Sequence, residues 1–382
     1  MAEEKKVEYL ELIYDLIFVY IIGRNNSLLQ NIRYGFITGQ AFLIYVFCSL
    51  AIIQIWNFST FYMNMYGRNS VRDHVFLFIN MYLLYYVGAG IRLQWRKYQL
   101  QFHLAWGLIL INIGIQYLIE LRHHRGEAEA VRTIRGMATA LFGEAAIVLA
   151  AIPAAGVNAD LARVIAGAAV LYGILATWFL AGHSRTSQVD FNHLSERAML
   201  YVVFTFGEMI IAVASYFDEG FDRSVLYFSL MCFLIVAGLF MSYEILYNKI
   251  LNRDRETSGM NYMMIHIFLI FSMNNITTSL EFMRNVNVSL WPKTLFLIGA
   301  FLLYFVCLFA LLNYAKEGME ECRRFLLPIL GLSAAFAVLM ILFREKMYVN
   351  ILVSVLYVYA IFLAIYRFGR KVSQAESGGQ SL

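Results

Sequence analysis

Five carboxylates lie within otherwise apolar runs of this chain: Glu11, Asp15, Glu144, Glu208 and Glu244. An ionised carboxylate at the centre of a bilayer costs on the order of 3 kcal/mol. Each is therefore expected to face the interior of a helix bundle, water, or a partner. Glu11 and Asp15 are four residues apart and share one helix face. Like charges at that spacing repel, so the pair needs either a proton on one acid or a cation between the two. That points to a proton or cation site near the start of the first span. The plain alternative is a pair of first-turn acids held by the positive end of the helix dipole.

The second chemical stretch is "HLSERAMLYVVFTFGEMII", residues 193–211. His193 and Glu196 have the His-x-x-Glu spacing that can place two side chains on one metal, but a single copy is equally an interfacial network with Arg197, and no metal site is assigned. Glu208 follows Glu196 by twelve residues, roughly 18 Å along the axis. No neighbour on its own helix neutralises it, so its partner is expected from another helix. The competing reading is a protonated Glu in a structural hydrogen bond. His266, in "NYMMIHIFLIF", is the natural relay for an acid because its charge changes near neutral pH; a hydrogen-bonded structural histidine is the alternative. Glu281 ends the same run. Trp56 closes the second apolar run, where an aromatic at the membrane interface is expected in any case. Glu144 stands beside Gly143 and suits a packing or hydrogen-bonding role.

These residues need a scaffold, and the composition says which. Of 382 residues, 60% are hydrophobic and 15% charged, and the mean hydropathy is +0.63. A soluble chain would carry about a quarter charged residues. About twenty apolar residues cross a bilayer as a helix. Twelve such runs are read, at roughly 9–29, 36–58, 74–92, 102–121, 134–154, 162–182, 197–216, 224–246, 259–280, 293–314, 325–343 and 348–367. The expected fold is all-α: a single polytopic membrane domain over 1–382 with a polar tail at 372–382, disordered by composition. The first run holds Glu11 and Asp15 and lacks a small-residue cleavage site, so it is read as a retained span rather than a signal peptide. The four cysteines are scattered and support neither a disulfide framework nor zinc. No nucleotide-binding, hydrolase or zinc-protease motif occurs, so no catalytic residues and no cofactor are assigned.

Lys and Arg gather on the side that holds the N-terminus, 19 of the 30. Both termini are therefore expected to be cytoplasmic, in a bacterial inner membrane. Arg96 and Lys97, in the loop at 93–101, run against that bias. The basic loop "LRHHRGEAEAVRTIRG" fits anionic headgroups better than nucleic acid. Twelve spans also permit a parallel duplication of six plus six, with halves 1–182 and 183–367. Span 1 and span 7 each place a Glu, Glu11 or Glu196, ahead of an aromatic run. A glycine, Gly23 or Gly207, follows eleven or twelve residues later.

At these residues the sequence resembles the bacterial low-temperature-requirement A (LtrA) family. "LELIYDLIFVYIIGR" is similar to that family's opening segment, "HLSERAMLYVVFTFGEMIIAV" to its His-x-x-Glu-Arg…Gly-Glu segment, and "IHIFLIFSMNNITTSLE" to its ninth-span His-to-Glu stretch. Trp56 falls in the family's Trp-rich second span. The resemblance runs over roughly residues 7–315 and points to Glu11, Asp15, Trp56, His193, Glu196, Arg197, Gly207, Glu208, His266 and Glu281. Ala198-Met199, Phe206, Met209 and Ile267 depart from the family's pattern. The family takes its name from a cold-growth phenotype, and the resemblance brings no reaction with it.

The leading functional expectation is a proton- or cation-coupled transporter of a small solute. Asp15 and Glu208 would be its coupling carboxylates, Glu196 and Arg197 a cytoplasmic gate, and His266 a relay. The alternative is a membrane-embedded enzyme or sensor for a lipid-like or hydrophobic ligand. Lipid and a small solute or ion are the expected partners in either case.

Overall fold

The structure, a computed structural model, describes residues 6–181, 189–214, 216–217, 220, 222–316 and 322–379. Lys5 and Arg185, two of the 19 cations counted on the N-terminal side, and the last three residues of the expected tail lie outside them. Twelve α-helices form: α1 (Tyr9–Asn26), α2 (Gly39–Tyr66), α3 (Val71–Gly90), α4 (Trp95–Glu120), α5 (Ala128–Val157), α6 (Ala159–Ala176), α7 (Phe191–Ala214), α8 (Arg223–Ile245), α9 (Met260–Arg284), α10 (Leu290–Ala310), α11 (Cys322–Leu342) and α12 (Met347–Gly379). Each matches one of the expected apolar runs, with shifted ends. Helix α2 runs on past 58 to Tyr66, and α12 runs on into the polar stretch read as a disordered tail. Among the described residues, nine helices are long and apolar enough to cross a membrane; α1, α3 and α11 are not among the nine.

Helix α1 falls short because of its polar residues, and the way it disposes of them identifies its surroundings. Glu11 and Asp15 are 1% and 0% exposed, while Ile13, Leu16 and Tyr20 are each more than half exposed. A helix in water would do the reverse. Apolar outside and acidic inside is the arrangement a bilayer selects.

Local signals in the sequence set the helix starts. Ser70 and Asp73 form a reciprocal capping box at α3. Asn158 accepts the amides of Asp160 and Leu161 at α6, and Asp222 that of Val225 at α8. Each satisfies amides that the first turn leaves without partners. One feature departs from an all-α reading. Between α1 and α2 a short hairpin pairs Ile32–Arg33 with Phe36–Ile37 through a turn at Tyr34 and Gly35, both with positive φ. The turn demands a left-handed backbone that glycine adopts freely. At Gly35 a side chain would also strike Ser289, whose amide donates to the Gly35 carbonyl.

The chain divides into two compact units. The first comprises residues 1–31, 37–201 and 254–264, and the second residues 32–36, 202–253 and 265–382. In the first unit α2 is the central helix, buried at every position from Ala51 to Asn64. Gly173 on α6 gives Gln54 of α2 room to donate to Glu144 of α5 at 3.2 Å. Glu144 thus takes the hydrogen-bonding role that its glycine neighbour suggested.

The same unit ties three helix ends with charge. Glu120, fully buried at the end of α4, pairs with Arg72 at 2.5 Å, and Arg68 lies 3.8 Å away. His123 and His124 approach it at 3.6 and 3.9 Å. Removing one partner of a buried pair costs about 3–5 kcal/mol. Because Arg72 is partly exposed, Glu120→Ala is expected to cost less than that range, about 2–3 kcal/mol. A lowered thermal unfolding midpoint in detergent would register it, and an unchanged midpoint would show that the pair does not hold these ends.

In the second unit α8 packs on α12, and α11 on α12 and α10. Ring stacking of Phe336 on Tyr357, at 4.0 Å between centroids, joins α11 to α12. Cys48, Cys232 and Cys307 are buried free thiols.

Candidate functional site

Three helices of the first unit carry polar residues at four-residue intervals, one helical turn apart. On α1 these are Glu11 and Asp15. On α2 they are Trp56, Thr60 and Asn64. On α7 they are His193, Arg197 and Tyr201. Such spacing puts each set on one face, and the three faces meet.

The assembly begins at Asp190, immediately before α7. Its carboxylate accepts the His193 amide at 3.0 Å, an N-cap that fixes where the helix starts and hence which way its residues point. Its backbone is clamped by Asn64. The Asn64 Oδ1 accepts the Asp190 amide at 3.2 Å, and the Asn64 Nδ2 donates to the Asp190 carbonyl at 2.8 Å. Those two bonds leave one orientation for the Asn64 amide. Its Nδ2, 3.0 Å from His193 Nδ1, must therefore donate to that ring nitrogen. A nitrogen that accepts carries no proton, so His193 is a neutral imidazole with its N–H at Nε2. That Nε2 lies 3.8 Å from Glu11 Oε1.

One turn further along α7, Arg197 stands between the two acids. Its Nη1 is 2.8 Å from Glu11 Oε2, and its Nη2 is 2.7 Å from Asp15 Oδ1. The Trp56 indole N–H donates to the same Asp15 oxygen at 2.8 Å. Trp56 in turn packs against Tyr201, ring centroids 4.4 Å apart. Phe18 closes the end of the set at 6.4 Å from Tyr201 and 5.0 Å from Tyr14. None of Glu11, Asp15, Trp56, His193 and Arg197 is more than 1% exposed.

The charge count of this cluster does not close. Among the described residues two carboxylates face one guanidinium, and the Asn64 clamp keeps the imidazole neutral, so with both acids ionised these groups sum to one negative charge. The two oxygens of Asp15 differ in their surroundings. Asp15 Oδ1 receives two N–H groups, whereas Asp15 Oδ2 is buried without a hydrogen-bond partner. Among the described residues no group of three or more His, Cys, Asp or Glu could hold a metal ion.

The sequence reading allowed a proton on one acid or a cation between Glu11 and Asp15, and Arg197 lies between the two. Glu11, Asp15, Trp56, His193 and Arg197 are brought together. Arg197 turns to α1, and Glu196, its half-buried neighbour, points about 100° away from it around the helix. Glu208, His266 and Glu281 belong to the second unit. Glu208 is half-buried, and among the described residues no ion pair or hydrogen bond reaches it, so the partner expected from another helix is not found there. His266 is buried, with its Nε2 3.0 Å from the Tyr243 hydroxyl. Glu281 is half-buried near the end of α9. Gly207 has open space where a Cβ would stand. Asn64, Asp190 and Tyr201 were not singled out. Asp190 three residues before His193 is a readable N-cap pattern, and Asn64 falls two turns beyond Trp56.

The family described as bacterial low temperature requirement A protein (LtrA) matches residues 6–362, which takes in all twelve helices except the end of α12. The chain belongs to the LtrA family. Neither a curated protein nor a solved structure matches it. Within this LtrA chain the charged cluster draws on α1, α2 and α7, so it joins segments that the sequence keeps far apart: Arg197 and Asp15 are 182 residues from one another.

Proposed function

We propose that this LtrA-family protein is a proton-coupled membrane transporter of a small solute, with the coupling proton held at Asp15. One observation carries the reading: the buried cluster has two acids, one guanidinium and a histidine locked neutral. A proton on Asp15 Oδ2 removes the negative charge that these groups leave unbalanced. In the loaded state Arg197 is balanced by Glu11 alone. Losing the proton leaves a net negative site inside an apolar bundle, which is costly unless the helices rearrange or water enters. That difference between the two states is what couples a proton to a conformational change. Twelve spans in two groups of six, both termini cytoplasmic in the inner membrane, complete the reading. The cluster then lies one to two turns inside the cytoplasmic ends of α1 and α7.

The test is flux. Purified protein in proteoliposomes, with a pH gradient imposed and a lumenal pH dye, is challenged with pools of small metabolites. The wild type is expected to collapse the gradient for a pool that contains its solute, and Asp15→Asn is not. Glu208→Gln is the comparison arm, because Glu208 keeps its place in the sequence reading but carries no pairing among the described residues. Equal collapse by Asp15→Asn and wild type would remove the coupling role.

A further inference from the structure

The first unit holds a cavity of about 810 Å³ that has no part in the charged cluster. Its size is in the range of small-molecule sites, about 300–1,000 Å³. Its wall is apolar, made by Leu43, Ile44 and Phe47 of α2 with Val164 of α6. Its rim is cationic, made by Arg96 and Lys97 at the start of α4 and Arg163 near the start of α6. All three cations are exposed. Arg163 pairs with Asp160, also on the rim, and Lys97 lies over the Tyr98 ring at 5.5 Å. Arg96 makes no ion pair among the described residues. With one acid against three bases, the rim carries a net charge of +2. Trp95, 7% exposed and next in sequence to Arg96, also lines the cavity.

An apolar slot below a positive rim, with an indole in its lining, has the polarity profile of one leaflet. From it we infer that the cavity is a binding site for an anionic phospholipid, its phosphate on Arg96, Lys97 and Arg163 and its upper acyl chains along the Leu43–Phe47 face and Val164. The inference is independent of the proton site. It also accounts for an oddity of the sequence. Arg96 and Lys97 are the cations that run against the positive-inside bias, and a phosphate ligand gives them work other than setting topology. Helices α2, α4 and α6 all begin at this cavity, so three positive dipole ends add to the same field.

Trp95 provides the readout. The probe is dibrominated phosphatidylglycerol titrated into phosphatidylcholine vesicles that contain the full-length protein, and the signal is quenching of the fluorescence component lost in Trp95→Phe. Each cation near an anionic headgroup is expected to contribute about fivefold. The wild type should reach half-quenching at a low mole fraction of the anionic lipid. Arg96→Ala/Lys97→Ala/Arg163→Ala should need more than tenfold more of it. If the triple variant does not fold, Arg96→Gln carries the same test with a shift of about fivefold. Dibrominated phosphatidylcholine should quench wild type and variant alike, without selectivity. Identical curves for the two lipids in the wild type, or no shift in the variants, would overturn the assignment. So would displacement of the anionic lipid by inorganic phosphate or glycerol phosphate at millimolar concentration, because the ligand would then be a soluble anion.

Discussion

Arg197→Gln is expected to be the most damaging single change to the fold of the first unit. It removes the only cation paired with Glu11 and Asp15 among the described residues and leaves two carboxylates, each at most 1% exposed, facing one another. Breaking a buried ion pair from one side costs about 3–5 kcal/mol, and here two acids lose their partner. The expected result is loss of the monodisperse, folded species in detergent, or a sharply lowered thermal midpoint. The effect should be conditional on charge. The triple variant Glu11→Gln/Asp15→Asn/Arg197→Gln keeps the shapes and removes all three charges, and isosteric replacement of a whole buried network is often neutral or stabilising. It is expected to regain most of the stability. A triple variant as unstable as the single one would mean that Arg197 acts through packing and not through charge.

The second large effect separates function from folding. Asp15→Asn preserves the acceptor oxygen that receives Trp56 and Arg197 and matches the protonated acid in shape and charge. It also leaves Glu11 and Arg197 as a balanced pair. The account therefore predicts a stability change under about 1 kcal/mol together with loss of proton-coupled flux. A purely structural cluster predicts the opposite: measurable destabilisation with flux intact. Asn64→Asp gives a further expectation. A carboxylate in place of the amide can accept a proton from His193 Nδ1, so the imidazole is released to become imidazolium, and the pH dependence of flux should change even where folding does not.

Much of this site was readable in the sequence, and the missing parts have physical causes. The spacing of Glu11 and Asp15 put both on one face of α1, and Arg197 lies against that face. Which cation could not be read, because periodicity reports a shared face on one helix and says nothing of a helix 182 residues away. Glu208 drew weight because an ionised carboxylate in an apolar run is costly, but that cost says nothing of which residues a helix brings together, and half-buried Glu208 meets no ion pair or hydrogen bond among the described residues. Asn64 was invisible for another reason. Helix α2 is buried on all sides from Ala51 to Asn64, so it shows no polar face to contrast with an apolar one. The same uniformity hid its end, placed at 58 instead of Tyr66. The twelve helices themselves were legible because length and hydropathy decide them, whereas the hairpin at 32–37 is too short to leave a periodic signal.

The central claim is that one buried proton resides on Asp15, and infrared difference spectroscopy tests it most directly. Spectra of the reconstituted protein recorded across a pH titration report the C=O stretch of protonated carboxyl groups. The account predicts a band that bleaches as pH rises, persists in Glu208→Gln and is absent from Asp15→Asn. A band of undiminished intensity in Asp15→Asn, or none in the wild type at any pH, would contradict it.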